Sequence, residues 1–376
     1  MRIYLDNNAT TAIHPDVLHV LESSLREVFG NASSIHKEGQ TARRMIEDAR
    51  EAVARMIGAA AREIVFTSGG SESNNAALFG AAQEGDRSHI VTTSIEHPSV
   101  AEPVRELERR GCEVTLVPPT RNGDVRAEDV IAVLRPDTKL VAVMMVNNET
   151  GVIQPVEAIG TACAERGVQF HVDAVQAAGK IDIDVALIRC DTLSLSAHKM
   201  HAPKGIGALY VRKGVRMSPH ILGGAQERRR RAGTENVPLA AAFGAAAALA
   251  GDLVARRRIA ELRDRFEASL RASLDVTING ASARRVPNTS NVIFHGADGE
   301  GIVIGLDLSG VAASTGSACS SGRVEPSPVL LAMGLTPDDA RSTVRFSLSR
   351  FTTAEEIDRV DELLEELVPR CTKAAR

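Results

Sequence analysis

Three segments of the sequence place reactive residue types directly after apolar runs. In Ser194-Leu195-Ser196-Ala197-His198-Lys199-Met200-His201, Lys199 is one of only seven lysines in 376 residues. A lysine enclosed by serine, histidine and, in Ala202-Pro203-Lys204-Gly205-Ile206-Gly207 just beyond, glycine is poorly explained as a solvated surface charge. Buried beside a cofactor it would lose proton affinity and form imines readily. A plain loop lysine is the competing reading. A metal pair of His198 with His201 is a third, without carboxylates or thiolates at the spacing of a known cage.

The second segment, Val172-Asp173-Ala174-Val175-Gln176, ends an apolar run with a carboxylate. In a doubly wound sheet that position lies at the edge where ligands bind. Asp173 is then either a helix cap or the partner of a protonated heterocyclic nitrogen, and Gln176 would face the same ligand. The third segment is Thr67-Ser68-Gly69-Gly70-Ser71-Glu72-Ser73-Asn74-Asn75, between a strand pattern and a helix pattern. Gly70 would let backbone approach an anion, the helix start would offer free N–H groups, and Ser71 would add a hydroxyl. A tight turn with a capping serine is the plainer alternative. The spacing is neither a Walker loop nor a GxGxxG fingerprint.

A phosphate cradle, an acid and a lysine at the strand ends of one sheet are together what pyridoxal phosphate demands. The acid keeps the pyridine nitrogen protonated, so that the ring acts as an electron sink, and the lysine carries the aldehyde. His97, in Ser94-Ile95-Glu96-His97-Pro98-Ser99, closes another strand toward the same edge and would stack on the ring.

Such residues need a sheet to hold them. Between about residues 42 and 211, β-branched runs alternate with helical patterns: Glu63-Ile64-Val65-Phe66, Ile90-Val91-Thr92-Thr93, Lys139-Leu140-Val141-Ala142-Val143 and Val168-Gln169-Phe170-His171-Val172. The alternation predicts an α/β fold with a mostly parallel sheet covered by helices on both faces. The apolar stretch from Leu140 to Val146 predicts a central strand buried on both sides. Pro238 to about Ser273 reads as one long helix leaving this domain. Beyond it, the shorter strands Asn291-Val292-Ile293-Phe294 and Thr343-Val344-Arg345-Phe346-Ser347-Leu348, with helices near Glu300 and from Ala354, predict a smaller α+β domain.

Composition narrows the class. A formal charge of −4 at pH 7 lacks the concentrated basic surface that nucleic acid requires. No apolar run reaches the roughly 20 residues needed to span a bilayer, and no signal-peptide core follows Met1. The five cysteines, Cys112, Cys163, Cys190, Cys319 and Cys371, are far apart and odd in number, which suits a reducing, cytoplasmic compartment.

The chain resembles the cysteine desulfurases of the aminotransferase class V family, NifS-like branch, over nearly its full length. The resemblance is carried by Tyr4-Leu5-Asp6-Asn7-Asn8-Ala9-Thr10-Thr11, Gly30 to His36, Ser94 to Pro98, Val146-Asn147-Asn148-Glu149-Thr150-Gly151, His171 to Gln176, His198-Lys199, Gly223 to Asn236 and Arg345 to Arg350. The segment Ser314-Thr315-Gly316-Ser317-Ala318-Cys319-Ser320-Ser321-Gly322 resembles the loop around the family's nucleophilic cysteine. Cys319 is also the thiol set among small residues.

By that resemblance the fold is the pyridoxal-phosphate transferase fold type I. It implies a seven-stranded sheet in a large domain over residues 16–256. Residues 1–15 and 257–376 form the small domain, with the cysteine loop at about 314–326. Lys199 would bind pyridoxal 5'-phosphate, Asp173 its ring nitrogen and Gln176 its hydroxyl, with His97 stacked on the ring. Gly70, Ser71, Ser196 and His198 would hold the phosphate, joined by Thr234 from the other subunit of a homodimer. Arg345 would capture the carboxylate of L-cysteine, with Asn8 and Asn148 assisting, Asn148 also bordering the cofactor. Cys319 would take the sulfur as a persulfide and pass it to an acceptor such as an iron-sulfur scaffold protein.

Overall fold

The computed structural model describes residues 2–81, 88–315 and 325–372. Its strands are β1 (Ile3–Tyr4), β2 (Ile64–Thr67), β3 (His89–Thr93), β4 (Glu113–Val117), β5 (Thr138–Met144), β6 (Gln169–Asp173), β7 (Thr192–Ser196), β8 (Gly207–Val211), β9 (Val276–Ile278), β10 (Thr289–Phe294), β11 (Val311–Ala312) and β12 (Thr343–Ser347). Seven of them form one sheet in the order β2-β8-β7-β6-β5-β3-β4. Every neighbouring pair is parallel except those of β8, which runs against both β2 and β7.

Side-chain alternation along these strands feeds two faces. Ile90, Leu140 and Ala142 pack with Val100, Val104 and Leu107 of the helix Pro98–Arg109. Val91, Val141 and Val143, one position along, join the large core on the opposite face. Covered on both sides, β5 is buried at every position but Lys139, as its apolar run predicted.

The predicted single helix from Pro238 to Ser273 is instead two, Val237–Leu249 and Leu253–Ser273, bent by 74°. Gly251 weakens the helix there, and Asp252 starts a new one by accepting from the Ala255 amide at 3.0 Å. The first piece packs in the large core; the second belongs to another cluster built on Phe266, Phe294 and Phe346. That second core sits on the antiparallel sheet β12-β10-β9 and the helices Gly299–Leu308 and Ala354–Cys371.

The N-terminal segment joins the two. β1 pairs with β11, Asn7 donates to the Ser347 carbonyl at 2.7 Å, and Thr11 donates through backbone and side chain to the His198 carbonyl at 3.0 and 2.9 Å.

Candidate active site

Five strands of the large sheet, β2, β3, β5, β6 and β7, end at one edge and hand the chain to functional residues there. Beyond β2 the helix Gly70–Ala81 begins at once. A Cβ on Gly207, at the start of β8, would stand 2.6 Å from Gly69 Cα, and one on Gly70 would stand 2.7 Å from Val175 Cγ2. Glycine is therefore required for this turn to lie flat on the sheet. β7 continues into a single 3-10 turn, Ala197–Lys199, and His97 caps the helix after β3.

One cleft of about 400 Å³ collects the results: Asn8, Gly70, Ser71, His97, Asn148, Asp173, Gln176, Ser196, His198, Lys199 and Arg345 all line it. Of the site residues expected from sequence, two are not among them. Thr234 is exposed and lies outside the cleft of its own chain, and Cys319 falls outside the described residues. Ser314, which lines the cleft, and Ser327 are both tied to the rest of the fold. Ser314 exchanges backbone hydrogen bonds with Arg345 at 2.6 and 3.2 Å, and Ser327 donates to Glu149 at 2.5 Å.

Lys199 Nζ donates to the carbonyls of Asn8 and Ala9 at 2.5 and 2.7 Å. Burial, reinforced by the Arg345 charge, pushes its pKa down to about 8. The free amine, which is the nucleophile toward a carbonyl, is thus accessible near neutral pH.

Asp173 is 6% exposed, accepting from the Val175 amide at 3.0 Å and from Asn74 Nδ2 at 2.8 Å. Asn74 also donates to Ser99 Oγ at 2.8 Å, and Ser99 in turn lies 2.8 Å from His97 Nδ1. Since His97 Nδ1 accepts from the Ser99 amide at 3.0 Å, the neutral ring carries its proton on Nε2. Burial lowers the His97 pKa and favours that neutral form.

Arg345, 4% exposed, donates to Asp6 at 2.8 Å and to the Asn148 carbonyl at 3.0 Å. Its Nε is buried and makes no hydrogen bond to any described residue. Arg345 nonetheless lines the cleft, where a guanidinium suits a carboxylate. The two histidines of the metal reading hold the N-terminal segment instead: His198 Nδ1 meets Thr10 Oγ1 at 3.2 Å, and His201 Nδ1 meets the Ala12 carbonyl at 2.9 Å.

Asn8 lines the cleft, and its side chain bonds to Asn148, Thr289, Asn288 and Lys180. Sequence reasoning assigned no role to Asn74, Asp6 or Lys180. For Asn74 a signal was present, since four residues past Gly70 it lies on the same helix face.

Pyridoxal phosphate fits these donors. A hydroxyl and a helix start suit the phosphate, a buried carboxylate suits the ring nitrogen, and a proton-poor amine suits the aldehyde.

Residues 3–360 match the family model described as Aminotransferase class-V. A cysteine desulfurase of Nostoc sp. is 47% identical over 374 residues, covering 98% of this chain and 93% of the relative. A cysteine desulfurase IscS of Dictyoglomus turgidum is 44% identical, over 98% of this chain and 95% of its own length. Among solved structures, a NifS-like protein superposes with a TM-score of 0.92 at 36% identity, over 98% of this chain and 100% of that one. SspA in complex with cysteine superposes with a TM-score of 0.85 at 36% identity, over 94% and 100%. A cleft built on a lysine, an aspartate and an arginine, in a chain matched from end to end by cysteine desulfurases, places this protein in the aminotransferase class V family.

Proposed function

We propose that the protein is a pyridoxal-phosphate-dependent cysteine desulfurase that turns L-cysteine into L-alanine and passes the sulfur, by way of Cys319, to an acceptor. The observation that carries the reading is the convergence of Lys199, Asp173, His97 and Arg345 on one cleft. When bound, the cofactor supplies an electron sink for the substrate carbon skeleton.

The residues of the chain divide the remaining work. Arg345 orients L-cysteine by its carboxylate, sharing the guanidinium with Asp6. Asp173, held by Asn74 and the Val175 amide, would pair with the ring nitrogen of the cofactor. Lys199, whose pKa of about 8 leaves some free amine near neutral pH, would remove and return the proton at the substrate α-carbon. His97 would offer its Nε2–H to the cofactor. Cys319 attacks the substrate sulfur as a thiolate. The S–S bond forms as the carbon–sulfur bond breaks, the bonding pair stays with the carbon fragment, and a proton equivalent to that of the Cys319 thiol ends on the alanine methyl. No external oxidant or reductant is required.

Cys319 is singled out by its segment and by the other thiols. Cys112, Cys163 and Cys190 are buried, and burial pushes the Cys163 thiol up to about 12, far from the thiolate form. Cys319→Ala should keep the visible absorbance change on adding L-cysteine while alanine and sulfide production fall to background. A Cys319→Ala variant as fast as wild type would replace this mechanism with a lyase that needs no protein thiol.

We read the protein as a cytoplasmic homodimer with residues 16–256 as its large domain and an iron-sulfur scaffold protein as acceptor. Exposed Thr234, together with Phe29, Ile35 and Leu222 at 85%, 94% and 80% exposure, supports the second subunit. Sedimentation of a fully active monomer at assay concentration would overturn shared sites.

A further inference from the structure

Lys180 does not line the cleft, yet its amine touches two residues that do. Nζ donates to Gln176 Oε1 at 2.5 Å and to Asn8 Oδ1 at 2.9 Å. Among the described residues no carboxylate is bonded to it. Burial pushes its pKa well down, and the nearby charges of Lys199 and Arg345 push in the same direction. An amine held among cations without a counter-ion is costly, and stripping a buried amide oxygen of its donor is costly too.

The donors of Lys180 decide how two amides face. With Oε1 turned to Lys180, Gln176 must present its NH2 outward, and Nε2 meets the Asn8 carbonyl at 2.9 Å. That same carbonyl receives Lys199. With Oδ1 turned to Lys180 and Asn288, Asn8 presents its NH2 to the Asn148 carbonyl at 3.1 Å. That oxygen is the one that anchors Arg345 Nη1 at 3.0 Å. Lys180 and Lys199 also line a second, small pocket of about 50 Å³.

We propose that Lys180 is a positioning residue that, through Gln176 and Asn8, aligns Arg345 with the substrate carboxylate and so governs affinity for L-cysteine. The proposal rests on Arg345 being the carboxylate site. Lys180→Met removes the donors at nearly constant volume. In the cofactor-loaded enzyme it should raise KM for L-cysteine about tenfold and leave kcat within about threefold of wild type. A residue that merely supports the fold would lower kcat in step with the active fraction and leave KM alone, and that result overturns the proposal, as does an unchanged KM.

Arg345→Lys measured in parallel separates the two ideas. If Arg345→Lys raises KM and Lys180→Met does not, the positioning role falls while the Arg345 assignment stands. If only Lys180→Met raises KM, the route through Arg345 falls and the proposal is overturned as stated. Should Lys180→Met fail to yield soluble protein, Lys180→Gln, which keeps a donor at shorter reach, must show a smaller rise in KM in the same direction, and no rise refutes the role.

Discussion

Asn74 sits 2.8 Å from the Asp173 carboxylate and takes its own orientation from His171, whose Nε2 meets Asn74 Oδ1 at 3.0 Å. Burial pushes the His171 pKa down to about 3, so the ring is neutral. Asn74 spends its carbonyl on that ring and its NH2 on Asp173 and Ser99. One buried amide therefore aims the carboxylate and braces the His97 cap.

The consequence is testable with a change of one atom. Asn74→Asp puts a second carboxylate against Asp173, and two carboxylates at hydrogen-bond distance share a proton at neutral pH. Asp173 then no longer offers a full negative charge to the ring nitrogen. Turnover of L-cysteine should fall on the order of 10- to 100-fold with the cofactor still bound, as read from alanine formation and visible absorbance. Wild-type turnover in Asn74→Asp would show that Asp173 needs no such neighbour.

Lys199 makes the apoprotein pH-sensitive in a stated direction. Its pKa is held at about 8 in the fold against an ordinary 10.5, by burial first and Arg345 second. Between those values the unfolded chain holds a proton that the folded one has released. The contribution of Lys199 to stability therefore improves as pH rises from about 8 to 10.5 and is at its most unfavourable below 8. Capture of added pyridoxal phosphate by apoprotein, which needs the free amine, should quicken roughly tenfold per pH unit below 8 and level off above it. A rate that does not change from about pH 6 to 8 contradicts the lowered pKa.

Glu227 and Arg50 form a buried bidentate pair at 2.6 and 2.9 Å, and Glu227 also accepts from the Phe66 amide. Their pairing holds the arginine-rich turn in an uncommon backbone: Glu227, Arg228 and Arg229 have φ of 44°, 57° and 64°. Glu227→Ala leaves a guanidinium buried without its partner and should cost about 3–5 kcal/mol, a clear drop in thermal midpoint by calorimetry. A shift of less than about 1 kcal/mol would mean that water replaces the carboxylate at no cost.

Much of this site was readable before any coordinates. Apolar runs ending in Asp173, in Ser196 to Lys199 and in Thr67 to Ser71 follow the period of a buried strand, and the ends of such strands fall at one edge by topology alone. What periodicity cannot convey is which distant side chains finish the job. Asn74 lies 99 residues from Asp173, Lys180 lies 172 from Asn8, and Asp6 lies 339 from Arg345. The break at Gly251-Asp252 escaped for a different reason, because the apolar spacing on either side continues through it and only the cap discloses the turn.

The N-terminal segment has a consequence in time. Asn7 and Asn8 leave the ribosome well before Ser347, to which they bond across 340 and 339 residues. At roughly 5–20 residues per second, those partners are synthesised many seconds afterwards. The seven-stranded sheet, complete by Val211, can fold and take the Thr10 to Ala12 segment against His198 and His201 while Asn7 and Asn8 still lack Ser347. A nascent chain therefore offers Lys199 and Asp173 without Arg345. Cofactor added to ribosome-held chains truncated before Thr343 would meet a half-built site, so maturation to a binding-competent enzyme is a late, post-synthetic event.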